Sequence, residues 1–303
     1  MNLTSITHTL FTLGTFAERK ISGLKLKKIE IEEGEISYLQ GGSGTPLVLL
    51  HGFGADKDNW VRLARYLTPH FQIIAPDLPG FGESFKDPDL NYDVLPQTQR
   101  LNSFVNAMGL EHFHLAGNSM GGYIAGNYAV EFPEKINSLW LLNPLGVESS
   151  PSSPMFEQIL RDELPVILSK NREEYESLLD NVFHKRPFIP GFAISELSKI
   201  AENNFSLYQK IFKDIHQIKD GSIKFSSPLE GRLKGFSKPT LITWGDKDRI
   251  LHPSAGTILS REIINSQLQL IKDIGHLPML ESPKTTADQF ISFKSSLPEA
   301  DSY

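Results

Sequence analysis

Ser119, Asp248 and His276 are the residues of this chain whose types and order could carry out acyl transfer. Ser119 lies at the centre of Gly117-Asn118-Ser119-Met120-Gly121, a G-x-S-x-G pattern with strand-type residues before it and a helical pattern after it. A serine hydroxyl is a weak nucleophile unless a base takes its proton and a third group orients that base. His276 is the candidate base and Asp248 the candidate orienting acid, because both follow later strands in the order serine, acid, histidine.

The turn at Ser119 must be sharp if a strand and a helix meet there. The sequence therefore predicts a strained backbone at Ser119, with the hydroxyl directed outward. Gly117 and Gly121 would let the strand and helix backbones pass closely without a Cβ clash. The free N–H groups and the partial positive charge of the helix N-terminus would stabilise a developing anion. Because a bare G-x-S-x-G pattern also arises by chance, the assignment depends on the elements around it.

Backbone N–H groups that could stabilise a tetrahedral oxyanion are predicted at Met120 and Phe53. Met120 follows the nucleophile directly, and Phe53 lies in His51-Gly52-Phe53-Gly54, after the apolar run Pro46–Leu50. Such a run is typical of a strand buried on both faces of a parallel sheet, so its loop would face the edge that carries Ser119. A glycine turn without a chemical role is the alternative interpretation. The position after an early buried strand favours an oxyanion hole formed by Phe53 and Met120.

Apolar runs of strand length alternate with helical patterns through most of the chain. This alternation predicts an α/β fold with a mainly parallel central sheet covered by helices. The predicted strands are Leu24–Ile31, Glu35–Leu39, Pro46–Leu50, Phe71–Ala75, the stretch before Gly117, Ile136–Leu142, Pro239–Trp244 and Gln267–Ile271. The three candidate residues each follow such a strand, at the end where open α/β sheets place their sites.

The alternation stops between residues 148 and 234, where prolines separate helical stretches such as Arg172–Phe183 and Ile194–Ile218, with no clear buried strand. We interpret residues 148–234 as an inserted helical cap. Residues 1–147 and 235–303 would form the two parts of the core. Because the insertion leaves after one strand and returns before another, the cap would lie over the strand ends that carry the candidate residues.

Composition excludes several other classes of protein. The chain has 303 residues, 40% of them hydrophobic and 22% charged, with acidic and basic residues mixed along it and a net charge of −6. These values are typical of a globular protein and do not indicate a nucleic-acid surface. The chain contains no cysteine, which excludes disulfides, thiolate metal sites and a cysteine nucleophile. No metal or organic cofactor is predicted, and the oligomeric state stays open.

The first residues form an amphipathic helical pattern. Apolar side chains fall on one face at residues 3, 6, 10, 13 and 17, with Phe11 and Phe16 to the sides. No cation precedes the run and no cleavage site follows it, so a secretory signal peptide is rejected and a cytoplasmic location expected. The run is too short and too polar to span a bilayer. Two interpretations remain: packing on the protein's own surface, and peripheral contact of residues 3–17 with a membrane or lipid surface.

Four motifs, taken together and in order, resemble those of the α/β-hydrolase superfamily, in particular its monoacylglycerol lipase-like and bacterial lipase branch. The likeness runs from about residue 30 to the end of the chain and is weakest in the cap. The motifs are His51-Gly52-Phe53-Gly54-Ala55, Asp77-Leu78-Pro79-Gly80-Phe81-Gly82, Gly117-Asn118-Ser119-Met120-Gly121-Gly122 and Gly275-His276-Leu277-Pro278. Relatives with a carboxylate nucleophile are disfavoured, because a serine stands at that position.

The resemblance implies which aspartate is the acid. Asp246 and Asp248 both follow the strand Pro239–Trp244, and the family pattern Trp-Gly-x-x-Asp, counted from Trp244, selects Asp248. Some lipases carry this acid after the strand that follows the nucleophile helix. This chain has Asn143 at that position, which again leaves Asp248.

The resemblance implies a serine carboxylester hydrolase that cleaves acylglycerols, monoacylglycerol foremost, or similar small lipophilic esters. In the cap, Phe156, Phe183 and Phe188 are expected to line an acyl pocket, although rings at helical spacing also serve as cap core. Three alternatives remain. A carbon–carbon bond hydrolase of ring-fission products uses the same triad and would need an inward cap arginine. Acyl transfer to another alcohol uses identical residues. A hydrolase fold kept as a binding module usually lacks a triad member, and here all three are present.

Overall fold

The strands of the protein form one large sheet and one small hairpin. The computed structural model describes residues 3–297, and of residues 3–5 it describes the backbone only. The strands of the described part are β1 (Leu24–Ile31), β2 (Gly34–Gly41), β3 (Pro46–Leu50), β4 (Gln72–Pro76), β5 (Phe113–Asn118), β6 (Ile136–Leu142), β7 (Gln217–Lys219), β8 (Ser222–Lys224), β9 (Thr240–Gly245) and β10 (Ser266–Ile271). All but β7 and β8 belong to an eight-stranded sheet in the order β1-β2-β4-β3-β5-β6-β9-β10.

The sheet is antiparallel only at one edge. β1 pairs with β2, and β2 with β4, in antiparallel fashion, and every later neighbouring pair is parallel. The strands β3, β5, β6 and β9 therefore end at the same edge of the sheet. Since the loops after these strands carry Phe53, Ser119, Asn143 and Asp248, the topology alone brings four chain segments to one place.

Helices cover both faces of the sheet, as the alternating pattern predicts. The helices are α1 (Leu3–Ile21), α2 (Val61–Leu67), α3 (Val94–Ala107), α4 (Met120–Glu131), α5 (Pro154–Leu160), α6 (Arg172–Val182), α7 (Gly191–Asn203), α8 (Phe205–Asp214), α9 (Leu229–Arg232), α10 (Ser254–Glu262), α11 (Pro278–Glu281) and α12 (Pro283–Ser296). In β3, Val48 and Leu50 belong to one buried apolar cluster and Leu47 and Leu49 to the other. The fold class predicted from the sequence is confirmed.

Between β6 and β9 the chain consists of short helices and the β7–β8 hairpin. The stretch Ile194–Ile218, predicted to be continuously helical, is instead two helices separated at Asn204 and followed by the first strand of the hairpin. Asparagine side chains compete for backbone hydrogen bonds and so favour helix ends. The hairpin turns at Asp220-Gly221, where φ is 51° and 68°, the left-handed values that a two-residue turn of this kind requires. Asp-Gly is the sequence signal for that turn, and it was missed.

The N-terminal helix α1 contacts the rest of the protein through one side. Thr7, Phe11, Thr15 and Arg19, spaced four residues apart, are its half-buried positions. Thr7 Oγ1 donates to Glu196 Oε1 on α7, and Arg19 forms a two-pronged ion pair with Asp58. No helix within residues 3–297 is both long enough and apolar enough to cross a membrane.

Candidate active site

Ser119 lies between β5 and α4 in a strained backbone conformation. Its φ of 54° and ψ of −119° lie outside the helical and strand regions. A Cβ on Gly117 would come within 2.1 Å of the Gly121 carbonyl oxygen, and one on Gly121 within 2.3 Å of the Leu50 carbonyl oxygen. Both positions therefore require glycine, because the backbones of β5, α4 and the end of β3 lie too close together to leave room for a side chain. The turn holds the Ser119 side chain at the wall of a cavity.

Asp248 and His276 form a buried hydrogen-bonded pair. His276 Nδ1 lies 2.8 Å from Asp248 Oδ2, and the two side chains are 3% and 0% exposed. The second carboxylate oxygen, Oδ1, accepts the N–H groups of Ile250 at 2.8 Å and Leu251 at 3.1 Å. These bonds fix the carboxylate so that it holds one imidazole nitrogen and leaves the other available. Asp246, the other candidate acid, instead accepts the Asp273 N–H at 2.7 Å.

The free nitrogen of His276 is its Nε2. This atom is buried and has no hydrogen-bond partner within residues 3–297. Asn118, the residue before Ser119, donates from Nδ2 to the His276 carbonyl oxygen at 3.2 Å, so the histidine loop and the Ser119 turn are directly joined. No hydrogen bond between Ser119 Oγ and His276 is formed in the described structure. Such contacts are often long without substrate and tighten when it binds.

The two predicted oxyanion donors flank the same cavity. Phe53 and Met120 both line it, and neither backbone N–H donates to an acceptor in the described part of the chain. A Cβ on Gly52 would lie 3.2 Å from the Ser119 Cβ, which places the loop after β3 directly beside the serine. Two N–H groups without an acceptor, beside a strained serine, can donate hydrogen bonds that stabilise negative charge on a substrate oxygen.

A neutral histidine supports the loop that carries Phe53. His51 Nε2 accepts the Leu78 N–H at 2.9 Å, so the proton is on Nδ1, which donates to the Gly52 carbonyl oxygen at 2.8 Å. Burial lowers the pKa of His51, against the opposing field of Asp77, and this favours the neutral form that both bonds require. His51 therefore braces the loop rather than taking part in proton transfer.

A buried ion pair ties this loop to the one after β4. Lys57 Nζ lies 2.8 Å from Asp77 Oδ2, with the side chains 1% and 0% exposed. Burial disfavours the ammonium group, but the fields of Asp77 and then Asp56 outweigh it and raise the pKa of Lys57. Asp77 also accepts the backbone N–H groups of Lys57 and Glu83, each at 2.7 Å. Removing either charge would leave the other buried without its partner.

An apolar pocket, partly open to solvent, extends from Ser119; the empty space in it, part of which is open solvent, is about 380 Å³. Its wall includes the core residues Phe53, Met120, Leu145, Ile250 and Leu251. The rest comes from the segment between β6 and β9, namely Met155, Phe156, Ile159, Ile167, Phe212, Ile215, His216 and Phe225. Burial lowers the pKa of His216, which favours its neutral form. Within residues 3–297, no lysine, arginine or carboxylate side chain is part of the wall.

Only one of the three phenylalanines expected in the acyl pocket lines this cavity. Phe156 is part of the wall. Phe183 is 3% exposed and packs in the apolar core instead, while Phe188 is 84% exposed to solvent. Their assignment to the pocket is corrected for a physical reason: an apolar side chain between β6 and β9 can pack against the core, line a cavity or face outward, and spacing alone does not distinguish these.

Two residues that the sequence analysis did not assign to the site form hydrogen bonds to the loops that carry Asp248 and His276. Glu281 accepts the N–H groups of Gly275 at 3.0 Å, His184 at 3.1 Å and Lys185 at 2.6 Å, so it joins the histidine loop to the end of α6. Asn143 Nδ2 donates to Asp248 Oδ2 at 2.7 Å. The sequence carries a signal only for Asn143, which immediately follows a buried strand.

The profile of the alpha/beta hydrolase fold family matches residues 45–283. The chain belongs to the α/β hydrolase family. Lipase 1 of Psychrobacter immobilis is 34% identical over 287 residues, covering 92% of this chain and 87% of the lipase. Monoacylglycerol lipase ABHD6 of Mus musculus is 28% identical over 295 residues, covering 93% and 86% of the two chains.

A solved structure described as a membrane phospholipase A, a novel bacterial virulence factor, superposes with a TM-score of 0.91. It is 37% identical, and the match covers 97% of this chain and 93% of that one. These relatives and the fold make the protein a hydrolase, and its resemblance to named lipases over most of its length makes it an ester-hydrolysing member of the family. The predictions from the sequence that the protein is a hydrolase and that it belongs to this family are confirmed.

Proposed function

We propose that the protein is a serine carboxylester hydrolase in which Ser119, His276 and Asp248 act as nucleophile, base and orienting acid. The observation that carries the proposal is the buried 2.8 Å contact between His276 Nδ1 and Asp248 Oδ2, with the opposite imidazole nitrogen unpaired and the Ser119 turn joined to the same loop. A histidine held in this way has the tautomer that accepts a proton from a serine hydroxyl.

The reaction would proceed in two halves. Ser119 Oγ attacks the ester carbonyl while His276 Nε2 takes its proton, and the carbonyl oxygen becomes an oxyanion beside the Phe53 and Met120 N–H groups. The tetrahedral intermediate collapses, His276 returns the proton to the leaving alcohol, and an acyl-enzyme remains. His276 then takes a proton from water, which attacks the acyl carbonyl. When this second tetrahedral intermediate collapses, His276 returns the proton to Ser119 Oγ and the carboxylic acid is released.

The cavity supports an acyl substrate of lipid type. Its wall is apolar except for Ser119 and the half-buried His216, so the methylenes of an acyl chain would gain about 0.8 kcal/mol each on leaving water. We propose acylglycerols, with monoacylglycerol foremost, because relatives over most of the chain are named as lipases and as monoacylglycerol lipase. Residues 148–234 would act as a cap on a core of residues 1–147 and 235–303, since they supply much of that wall.

The carbon–carbon bond hydrolase alternative requires a cation for the substrate carboxylate. No lysine or arginine belongs to the cavity wall within residues 3–297, and the lowered pKa of His216 disfavours an imidazolium there. An ester with an uncharged acyl chain therefore fits the site better than a ring-fission dienoate.

The test combines a labelled serine with a substrate panel. A fluorophosphonate should modify the protein at Ser119 alone, and Ser119→Ala should abolish both labelling and hydrolysis. Nitrophenyl esters of rising chain length, monoacylglycerols and a ring-fission dienoate are then compared by kcat/KM. Hydrolysis that survives Ser119→Ala would refute the nucleophile, and a preference for the dienoate would refute the substrate class.

We further propose that α1 makes peripheral contact with a lipid surface. Three side chains of the apolar face predicted from the sequence are exposed, Ile6 by 39%, Leu10 by 45% and Leu13 by 59%, and Ile21 at the end of the helix is 66% exposed. The contact with α7 uses the neighbouring face that contains Thr7. An amphipathic helix with an outward apolar face gains free energy by burying it at the boundary between lipid head groups and acyl chains.

Charge near the C-terminal end of α1 supports this contact. Lys20 and Lys25 are exposed and form no ion pair within the described residues, and Leu26, next to Lys25 in β1, is 42% exposed. A lysine close to an anionic membrane contributes about 1 kcal/mol to binding. The two lysines would therefore favour a surface that contains anionic lipid.

Sedimentation with vesicles of phosphatidylcholine and phosphatidylglycerol tests the contact. The double variant Leu10→Ser/Leu13→Ser should bind at least about tenfold more weakly, since two partly exposed leucines lose roughly 1 kcal/mol or more each. Ile264→Ser/Leu270→Ser is the matched control, because these side chains are 68% and 55% exposed near the opposite edge of the sheet. Equal binding of both double variants would contradict the proposal.

A further inference from the structure

Asn143 occupies a position where its backbone and its side chain have separate roles. It follows β6, is fully buried and has a φ of 44°, in the left-handed region. Its N–H donates to the Thr243 carbonyl oxygen at 3.0 Å, which fixes the end of β6 against β9. Asparagine is enriched at such φ values, so the backbone alone is one explanation for this residue type.

The side chain of Asn143 makes a contact that the backbone explanation does not require. Nδ2 donates to Asp248 Oδ2 at 2.7 Å, and that same oxygen lies 2.8 Å from His276 Nδ1. The other oxygen of Asp248 accepts two backbone N–H groups, from Ile250 and Leu251. The carboxylate thus has four donors, two for each oxygen, and Asn143 supplies the only one from a side chain other than His276 among the described residues.

Four donors in fixed directions define the rotation of the carboxylate about its Cβ–Cγ bond. Rotation about this bond moves both oxygens together, so the two backbone donors on Oδ1 and the Asn143 amide on Oδ2 resist it jointly. Asn143 approaches Oδ2 from β6, a different strand from the one that precedes Asp248. It therefore restrains the oxygen that is bonded to His276 Nδ1. Hydrogen bonds to an ionised carboxylate are stronger than those between neutral groups.

We propose that Asn143 is a positioning residue for the reaction: its amide N–H holds Asp248 Oδ2 in register with His276 Nδ1 and so keeps the base aligned with Ser119. This inference rests on the proposed triad. It assigns to Asn143 an effect on the chemical step and none on substrate binding, since the residue is not part of the cavity wall.

Two substitutions separate the donor from the other properties of Asn143. Asn143→Gly removes the amide and keeps a residue that adopts a φ of 44° without strain. Asn143→Asp keeps the shape and tolerates that φ, but in mildly alkaline buffer it presents an acceptor oxygen to Asp248 in place of the donor. Asp220→Gly, also at a left-handed φ of 51° but in the exposed turn of the hairpin, controls for the backbone effect of glycine alone.

The expected result is a loss of kcat without a change of KM. We expect kcat and the rate of fluorophosphonate labelling at Ser119 to fall at least about tenfold in Asn143→Gly, and further in Asn143→Asp, with KM changed by less than about twofold. Asp220→Gly should leave all three values unchanged. Melting temperature and near-ultraviolet circular dichroism are measured for each variant.

Three outcomes would overturn the inference. Full activity of a folded Asn143→Gly protein would show that only the backbone conformation matters, and a rise of KM that matches the fall of kcat in this variant would show that the residue acts on substrate binding instead. A protein that fails to fold in both variants would make Asn143 a structural residue and also refute the inference. If Ser119→Ala keeps its activity, the triad itself is wrong, whereas an inactive Ser119→Ala beside a fully active Asn143→Gly refutes the positioning role alone.

Discussion

Replacement of Asp248 by asparagine is the substitution for which the structure gives the most specific expectation. An asparagine has one oxygen and one NH2 group where the aspartate has two oxygens. If the NH2 group replaces Oδ2, it faces the donors of Asn143 and His276. The imidazole then relieves the clash only by moving its proton to Nε2, and it can no longer accept the Ser119 proton.

The opposite orientation of the asparagine is also unfavourable. If the NH2 group replaces Oδ1, the N–H groups of Ile250 and Leu251 lose their acceptor. Two buried donors without a partner cost about 1–3 kcal/mol each. In either orientation the negative charge that stabilises the imidazolium is gone. We therefore expect kcat to fall by up to about 10⁴-fold, which corresponds to roughly 5 kcal/mol of transition-state stabilisation.

Asp246→Asn is the matched control, because it makes the same chemical change two residues away. Asp246 uses one oxygen to accept the Asp273 N–H, and its side chain is 29% exposed. The asparagine oxygen can keep that bond, so kcat should change by less than about threefold. Both variants are assayed with a nitrophenyl ester and by fluorophosphonate labelling, and circular dichroism verifies folding. A larger loss in Asp246→Asn than in Asp248→Asn would refute the choice of acid and the reasoning behind it.

Three further predictions concern the cavity, the buried ion pair and pH. Phe156→Ala should lower kcat/KM for long-chain relative to short-chain esters by about tenfold, because each methylene that loses its contact costs about 1 kcal/mol. Phe188→Ala should leave the ratio of the two kcat/KM values unchanged, because Phe188 is exposed. An equal fall of kcat/KM for all esters in Phe156→Ala would contradict this prediction. Lys57→Met, which leaves Asp77 buried without its partner, should reduce the free energy of unfolding in urea by about 3–5 kcal/mol, and a loss below about 1 kcal/mol would be inconsistent with that burial. Burial lowers the pKa of His114 from 6.5 to about 4, so folding favours the neutral ring. As the pH falls from 6.5 to about 4, the native protein should lose up to roughly 3 kcal/mol relative to His114→Gln, and parallel pH curves for the two proteins would show that His114 does not titrate in this way.

The sequence by itself determined the class of fold and the order of the chemical groups along the chain. Runs such as Pro46–Leu50 are apolar at every position because both faces of the strand are buried, and that requirement is visible without knowing its neighbours. The G-x-S-x-G pattern is similarly local, since Gly117 and Gly121 are needed wherever a strand and a helix meet so closely. The choice of Asp248 over Asp246 as the predicted acid came from the resemblance to the family pattern Trp-Gly-x-x-Asp.

Only the tertiary structure decided which side chains meet. Phenylalanine occurs in the apolar core, in the wall of the cavity and on the surface of this protein. The sequence pattern therefore did not distinguish Phe156, which lines the cavity, from the buried Phe183 and the exposed Phe188. The contact between Asn143 and Asp248 joins residues 105 apart, and it exists because β6 and β9 are parallel neighbours, a pairing no local pattern specifies. The outward direction of the apolar face of α1 likewise follows from its long-range contact with Glu196 on α7.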